Sequence, residues 1–167
     1  RPLDHPWRFL TNGPTMTIQR MTWGVKASFR GYVEAAGGTI HISDGVTRDA
    51  GGAFVFAARP GGDLNLAGGG APTGSVRFQG TVAFDAHGGM LRSTLTELGV
   101  DAGPDGLVLT AAQTPGSEAR VAIAQLTRTQ GSSAGSVTLD CVITLDGMFQ
   151  IADNYPPGTL LDPVHLD

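Results

Sequence analysis

The stretch GSVRFQGTVAFD, residues 74–85, decides the fold class of this chain. Its apolar side chains recur at every second position, so that Val76, Phe78, Val82 and Phe84 share one face. Because successive side chains of a strand point to opposite sides of a sheet, this alternation predicts one strand with a buried face and a solvent-facing one.

Similar short alternating runs, bounded by Gly, Pro or Asp-Gly, fill most of the chain after residue 38. The predicted strands cover residues 39–43, 53–58, 63–67, 74–85, 90–101, 106–113, 119–129 and 136–146. Turns are predicted at Asp44-Gly45, Asp105-Gly106, Asp146-Gly147 and residues 49–52. This pattern predicts a mainly β fold: an antiparallel β-sandwich or an open barrel of about 8–11 strands, with one N-terminal α-helix and room for a short second one.

Residues 22–36 carry the only strong helical pattern. Thr22 is a candidate N-cap, and Gly37-Gly38 supply a left-handed exit. The helical period places one set of residues on an apolar face, namely Val25, Phe29, Tyr32, Val33 and Ala36. The opposite face carries Lys26, Arg30 and Glu34, and the spacing predicts a surface pair between Arg30 and Glu34.

Composition narrows the class of protein. The 167 residues include 25 Gly and 10 Pro, carry a formal net charge of −4 and contain no run of Lys or Arg, which argues against binding nucleic acid or an anionic membrane. The only cysteine, Cys141, lies in an alternating apolar run and is predicted to be a core residue. No stretch approaches the roughly 20 apolar residues of a membrane span. We expect one domain over residues 22–167, preceded by an arm, residues 1–21.

The segment WGVKASFRGYV, residues 23–33, resembles the opening of an HtaA domain, a haem-binding domain of actinobacteria. The resemblance continues in the same order along the chain, covering about residues 22–164. Its further segments are Ser43-Asp44-Gly45, Phe54-Val55-Phe56, GTVAFDAH at residues 80–87 and YPPGTLLDPV at residues 155–164.

The resemblance implies haem as cofactor, with Tyr32 as the axial ligand of the haem iron, His87 hydrogen-bonded to Tyr32, and Ser28 one helical turn before it. A phenol titrates near 10 in water, so it ligates well only where the phenolate is favoured. Ferric iron and an imidazole N–H both favour it, and tyrosinate ligation of haem is an established arrangement. Gly88 and Gly89 beside His87 leave space for a flat ligand.

Each candidate also has an ordinary interpretation. Tyr32 on an amphipathic helix is typical of a half-buried core residue, and His87 at a turn is typical of a solvated one. Arg30 and Arg77 are candidates to pair with haem propionates, although a solvated face is the simpler expectation for both. His41 is expected to face solvent, and the histidines lack the spacing of a structural metal site.

These observations favour a domain that takes up or relays ferric haem through Tyr32. Its expected partners are haem or another small hydrophobic ligand, haem-transport proteins or a second copy of the chain, with no nucleic acid and no membrane span. The resemblance implies a secreted or cell-surface location, whereas a natural start at Met16 implies a cytoplasmic one.

Two alternatives remain open. In the first, the chain is a cytoplasmic HtaA-like enzyme of specialised metabolism, in which Tyr32 and His87 form a general acid/base pair and Ser28 orients a small organic substrate. In the second, it is a structural or adhesive module without a small ligand. No G-x-S-x-G, phosphate-binding Gly/Lys loop or H-E-x-x-H motif is present to suggest another chemistry.

Overall fold

The computed structural model describes residues 17–66, 71–129 and 135–167, so the predicted arm up to residue 16 lies outside the described residues. Twelve strands and two α-helices are found in these ranges. The strands are β1 (Arg20–Trp23), β2 (Thr39–Ser43), β3 (Thr47–Arg48), β4 (Phe54–Ala57), β5 (Ser75–Arg77), β6 (Thr81–Ala86), β7 (Leu91–Thr96), β8 (Gly99–Gly103), β9 (Gly106–Ala112), β10 (Arg120–Arg128), β11 (Val137–Ile143) and β12 (Leu160–Leu166). The helices are α1 (Ala27–Ala35) and α2 (Leu145–Gln150).

The strands form two antiparallel sheets. The larger has nine strands in the order β3-β4-β1-β12-β11-β10-β9-β8-β5, and the smaller has three in the order β2-β6-β7. Since β3 and β5 end the larger sheet on opposite sides, it is open and not closed into a barrel. The predicted mainly β, antiparallel architecture is confirmed, and it is consistent with a β-sandwich.

The chain passes from one sheet to the other at two corners, and each corner divides a predicted strand. The predicted strand over residues 74–85 is in fact two strands, because the chain leaves the larger sheet after β5 and enters the smaller one at β6. Gly80 lies at this corner with φ +126°, and a Cβ there would collide with Val46. The predicted strand over residues 90–101 divides in the same way at Glu97, where φ is +51°. A positive φ interrupts an extended strand and lets the chain change sheets.

The space between the sheets holds one apolar core. The predicted buried face of residues 74–85 is confirmed, because Val76, Phe78, Val82 and Phe84 are all buried. Phe84 of β6 contacts Phe29 of α1 edge-on, with ring centroids 4.9 Å apart. Helix α1 packs against β2 and β6. The small sheet therefore holds the helix that carries Tyr32 at one side of the core.

Other predictions have mixed outcomes. The turn at Asp44-Gly45 is confirmed, whereas the turn predicted at Asp105-Gly106 lies one residue earlier, at Pro104-Asp105, and Gly106 begins β9. Asp146-Gly147 is not a turn but part of α2, where Thr144 caps the helix by accepting from the Gly147 N–H. Among the described residues 63–66 there is no strand, only an isolated bridge from Asn65 to Thr73. Strand β12 was not predicted, and it lies between β1 and β11 in the larger sheet.

Cys141 is a core residue, as predicted. It is fully buried on β11, and this burial raises the pKa of its thiol to about 12. A protonated, enclosed thiol is chemically inert at neutral pH. Neither helix of the described part of the chain has the length and apolar character needed to cross a membrane.

Candidate functional site

Helix α1 carries the first two candidate residues, and its start differs from the prediction. The helix begins at Ala27, whereas Thr22 pairs with Val55 inside the larger sheet. Its cap comes from β12, because Asp162 Oδ1 accepts a hydrogen bond of 3.1 Å from the Ala27 N–H. Val25 has φ +63°, which is unusual for a β-branched residue and turns the chain sharply from β1 into the helix.

Asp162 also fixes the helix through Arg30. The Arg30 guanidinium lies 2.9 Å from Asp162 Oδ2 and donates to the Gly24 carbonyl at 2.7 Å. Trp23 Nε1 donates to the Asp162 carbonyl at 2.9 Å, and a Cβ at Gly24 would collide with the guanidinium. The prediction that Arg30 faces solvent beside Glu34 is therefore wrong, because this residue is only 9% exposed and its charge is paired with Asp162.

Tyr32 lies at the boundary of the helix face that packs on the core. Phe29 and Val33 are buried, but Tyr32 is 46% exposed and Ala36 is exposed as well. The predicted placement of these two residues on a buried apolar face is wrong, since the helix sits at the edge of the small sheet and buries a narrower stripe. The exposed tyrosine is free to direct its hydroxyl away from the core.

His87 enters the site from the turn between β6 and β7. Its φ is +55°, and the φ angles of Gly88 and Gly89 are +63° and +93°, so three left-handed residues follow one another. The Tyr32 hydroxyl lies 2.6 Å from His87 Nε2, and the two ring centroids are 5.6 Å apart. The structure thus brings together the tyrosine and histidine expected from the resemblance, and both side chains are exposed.

This geometry lets the pair share one proton. A neutral phenol donates its O–H to an unprotonated Nε2, and a phenolate accepts from an Nε2–H. In the second arrangement the imidazole stabilises negative charge on the Tyr32 oxygen, which is the state that a Lewis-acidic metal would bind. The 2.6 Å separation and the exposure of both rings are compatible with such a role.

Ser28, the third candidate, contacts a residue that sequence reasoning missed. Its Oγ lies 3.5 Å from the hydroxyl of Tyr155, and the Tyr155 ring packs edge-on against Phe29 with centroids 6.0 Å apart. The chain has only two tyrosines. Tyr32 belongs to α1, and Tyr155 contacts α1 through Ser28. The YPPG segment had already been singled out, and it provided the signal that could have identified Tyr155.

The hairpin that carries His87 also carries an exposed apolar residue and a charged one. Met90, whose N–H donates to the His87 carbonyl at 3.2 Å, is 91% exposed. Arg92, two residues further along the chain, forms an ion pair with Asp85, in which Nε lies 3.4 Å from Oδ2. The turn that carries His87 therefore also exposes one apolar side chain, that of Met90.

The remaining candidates lie elsewhere. Arg77 is not simply solvated, because it forms a 2.6 Å ion pair with Asp101 and its side chain is about one-third exposed. His41 is exposed, as predicted. Within the described ranges, no three His, Cys, Asp or Glu residues lie close enough together to hold a metal ion.

A cavity of about 540 Å³ lies at a separate place, beside the start of β1. It is lined by residues 17–19, residues 58–65 and Val76, and neither Tyr32 nor His87 contributes to it. The Tyr32–His87 pair lies instead on the open surface between α1 and the β6–β7 turn.

The fold and the site together define a class of domain. It is a β-sandwich in which an exposed tyrosine of the first helix contacts a histidine from a turn between two strands. The HtaA family model, described as Htaa, matches residues 19–167. The chain therefore belongs to the HtaA family. No protein with a curated description matches it.

Solved structures of Corynebacterium glutamicum proteins share the fold. The C-terminal domain of HtaA is 27% identical with a TM-score of 0.69, over 91% of this chain and 96% of that one. The N-terminal domain of HtaA is 24% identical with a TM-score of 0.67, over 92% and 98% of the two chains. The haem-binding protein HtaB is 18% identical with a TM-score of 0.62, over 92% and 93%, which shows a common fold.

Proposed function

We propose that this domain binds ferric haem through Tyr32 and passes it on without changing it chemically. The observation that carries the proposal is the 2.6 Å contact between the hydroxyl of an exposed tyrosine and Nε2 of an exposed histidine. Membership of the HtaA family supports it, as does the shared fold with a protein described as haem-binding.

The donor set fits ferric haem. A phenolate oxygen is a hard, anionic ligand that suits Fe³⁺, and iron bound there would supply the positive charge that keeps the phenol deprotonated. His87 would donate from Nε2 to the same oxygen and so hold its charge and orientation. Met90, three residues after His87 on the same turn, exposes an apolar side chain, which is compatible with a flat macrocycle at this place.

Reversible binding suits a relay. Because the Tyr32–His87 pair is open to solvent, a proton can return to the phenolate oxygen and weaken its bond to a metal. Transfer from such a site needs an acceptor, and haem-transport proteins or a second copy of this chain stay predictions for that role.

A hemin titration followed by absorbance tests the proposal. We expect a Soret band that saturates at one haem per chain, and loss of most of this band in Tyr32→Phe. The matched control is Glu34→Gln, an exposed substitution on the same helix that leaves the site untouched. An unchanged spectrum in Tyr32→Phe would exclude Tyr32 as the ligand.

The enzymatic alternative uses the same two side chains. A hydrogen-bonded phenol and imidazole can also act as an acid/base pair on a small organic substrate. The titration separates the two hypotheses, since a chain that acts only in this way has no reason to bind hemin at one equivalent or to lose that binding in Tyr32→Phe.

A further inference from the structure

A groove beside the start of β1 lies away from the candidate haem site and has no part in the proposed function. It is the cavity of about 540 Å³ described above, and we call it the β1 groove. Among the described residues, its apolar lining comes from Leu64 and Val76, which belong to the core, and from Ile18 and Ala58, which pack against the core. Sites for organic molecules typically enclose roughly 300–1,000 Å³, so the groove has room for a large aromatic side chain.

The chain itself forms one wall of the β1 groove. Residues 17–19 line it, and the Ala58 N–H donates to the Gln19 carbonyl at 2.8 Å, which holds this wall in place. The sixteen residues that precede Thr17 are therefore attached at the groove. A segment tethered by a short length of chain has a local concentration on the order of millimolar, which favours it over a free partner.

The sequence before Thr17 carries side chains that suit the groove. Residues 6–11 read PWRFLT and include Trp7, one of only two tryptophans of the chain. Asn12-Gly13 follows, and this dipeptide is a strong signal for chain reversal. A reversal centred there brings residues 7–9 alongside residues 16–18, of which Thr17 and its successor line the groove. Trp7 can thus reach the groove from its own chain.

The rim of the groove carries a carboxylate without a charged partner. Asp63 is exposed, and it forms no ion pair within the part of the chain that the structure describes. Arg59 on the same rim is already paired with Glu97 at 2.8 Å. Arg8, which directly follows Trp7, carries the charge that complements Asp63.

We propose that residues 6–11 of the same chain dock in the β1 groove, with the Trp7 ring on its apolar floor and the Arg8 guanidinium beside Asp63. The inference stands apart from haem binding, because neither Tyr32 nor His87 lines the groove. Docking of this segment covers apolar surface at the start of β1 and fastens the beginning of the domain to the larger sheet.

Tryptophan fluorescence of the full chain tests the proposal. The other tryptophan, Trp23, is 1% exposed, so the difference between a chain and its Trp7→Phe counterpart isolates the emission of Trp7. Acrylamide quenching is measured for the wild type, for Ala58→Phe, which places a ring inside the groove, and for Ala57→Phe. Ala57 is the matched control, because this neighbouring residue is exposed and does not line the groove. Circular dichroism confirms that each variant is folded.

We expect Trp7 of the wild type and of Ala57→Phe to emit at a shorter wavelength than free indole and to be shielded from acrylamide. Ala58→Phe should remove both properties. Arg8→Glu should lower the ratio of docked to free segment by about twofold to fivefold, the range of an exposed ion pair, and adding Asp63→Lys to that chain should restore the ratio.

Three results would overturn the proposal: quenching of Trp7 in the wild type as fast as that of free indole, full shielding of Trp7 in a folded Ala58→Phe, or loss of shielding on dilution of the protein. The last result assigns the groove to residues 6–11 of a second copy. If Ala58→Phe does not fold, the charge reversal decides, because equal shielding in Arg8→Glu and the wild type excludes the docked contact. Hemin is absent from these measurements, so their outcome is independent of the haem-binding proposal.

Discussion

The hydroxyl of Tyr32 lies 2.6 Å from Nε2 of His87, although the two residues are 55 positions apart in the chain. Separate parts of the structure hold the two residues in place. Helix α1 is fixed by the bonds of Asp162 to Arg30 and Ala27, and His87 is held by a turn of three left-handed residues. The pair is thus positioned before any ligand arrives, which lowers the cost of binding.

Removal of the imidazole should weaken haem binding without abolishing it. In His87→Ala, Tyr32 loses the group that favours its phenolate, and loss of such an outer partner typically lowers metal affinity by about 10- to 100-fold. A hemin titration of the variant measures this factor. His41→Ala, which removes an exposed histidine from another part of the small sheet, should bind as the wild type does. Equal affinities in both variants would contradict the role of His87.

The left-handed backbone at His87 should lower stability. His87→Ala and His87→Gly both lose the imidazole, but only glycine accepts φ +55° without a steric penalty. We expect His87→Gly to have the larger free energy of unfolding, by about 1 kcal/mol, in urea titrations. A glycine variant that is no more stable than the alanine variant would show that this turn is unstrained.

The Arg30–Asp162 pair should contribute strongly to stability. Arg30→Met leaves the partly buried Asp162 carboxylate, whose side chain is 30% exposed, without its charged partner and the Gly24 carbonyl without its donor, which should cost about 2 kcal/mol in the free energy of unfolding. Arg30→Lys should recover little, because one ammonium cannot reach Asp162 and the Gly24 carbonyl together. Urea unfolding measures both changes.

Glu34→Gln is the control for that experiment, since Glu34 is not the partner of Arg30. It should change the free energy of unfolding by less than about 0.5 kcal/mol. A loss in Glu34→Gln comparable with that of Arg30→Met would contradict the assignment of the pair.

Cys141 should make the fold sensitive to alkaline pH. Burial raises the pKa of its thiol from an ordinary value of 9.0 to about 12. Below pH 9 the thiol is protonated in both states, so its contribution to stability is fully present. Between pH 9 and 12 it ionises only in the unfolded chain, and the free energy of unfolding falls by up to about 1.4 kcal/mol per pH unit.

Urea unfolding at pH 8, 9 and 10 measures this loss, with Cys141→Ala as the reference. The difference in stability between wild type and variant should narrow as the pH rises above 9. A constant difference would mean that the thiol ionises equally in the folded and unfolded chains.

The alternation of residues 74–85 predicted which side chains are buried, but not that they belong to two sheets. Val76 and Phe78 lie before the corner at Gly80, and Val82 and Phe84 lie after it. The alternation keeps the same phase across the corner because both sheets face the same core. Only the φ of Gly80 and the pairing of each half reveal the change of sheet.

The helix start could not be predicted locally either. Thr22 has the chemistry of an N-cap, but its backbone is used by the larger sheet, and the actual cap comes from Asp162 at the far end of the chain. Likewise, the helical period assigns Tyr32 to the apolar face, and it cannot show that the side chain of His87 contacts Tyr32. The resemblance supplied that pair and also pointed to the segment that holds Tyr155, whereas the contact of Tyr155 with Ser28 is visible only in three dimensions.

Resonance Raman spectroscopy of the ferric haem complex tests the central claim most directly, because it shows vibrations of a tyrosinate bound to iron. The chain has only two tyrosines, so each can be removed in turn. We predict that tyrosinate modes are present in the wild type and in Tyr155→Phe and absent in Tyr32→Phe. Their persistence in Tyr32→Phe, or their absence from the wild-type complex, would contradict axial ligation by Tyr32.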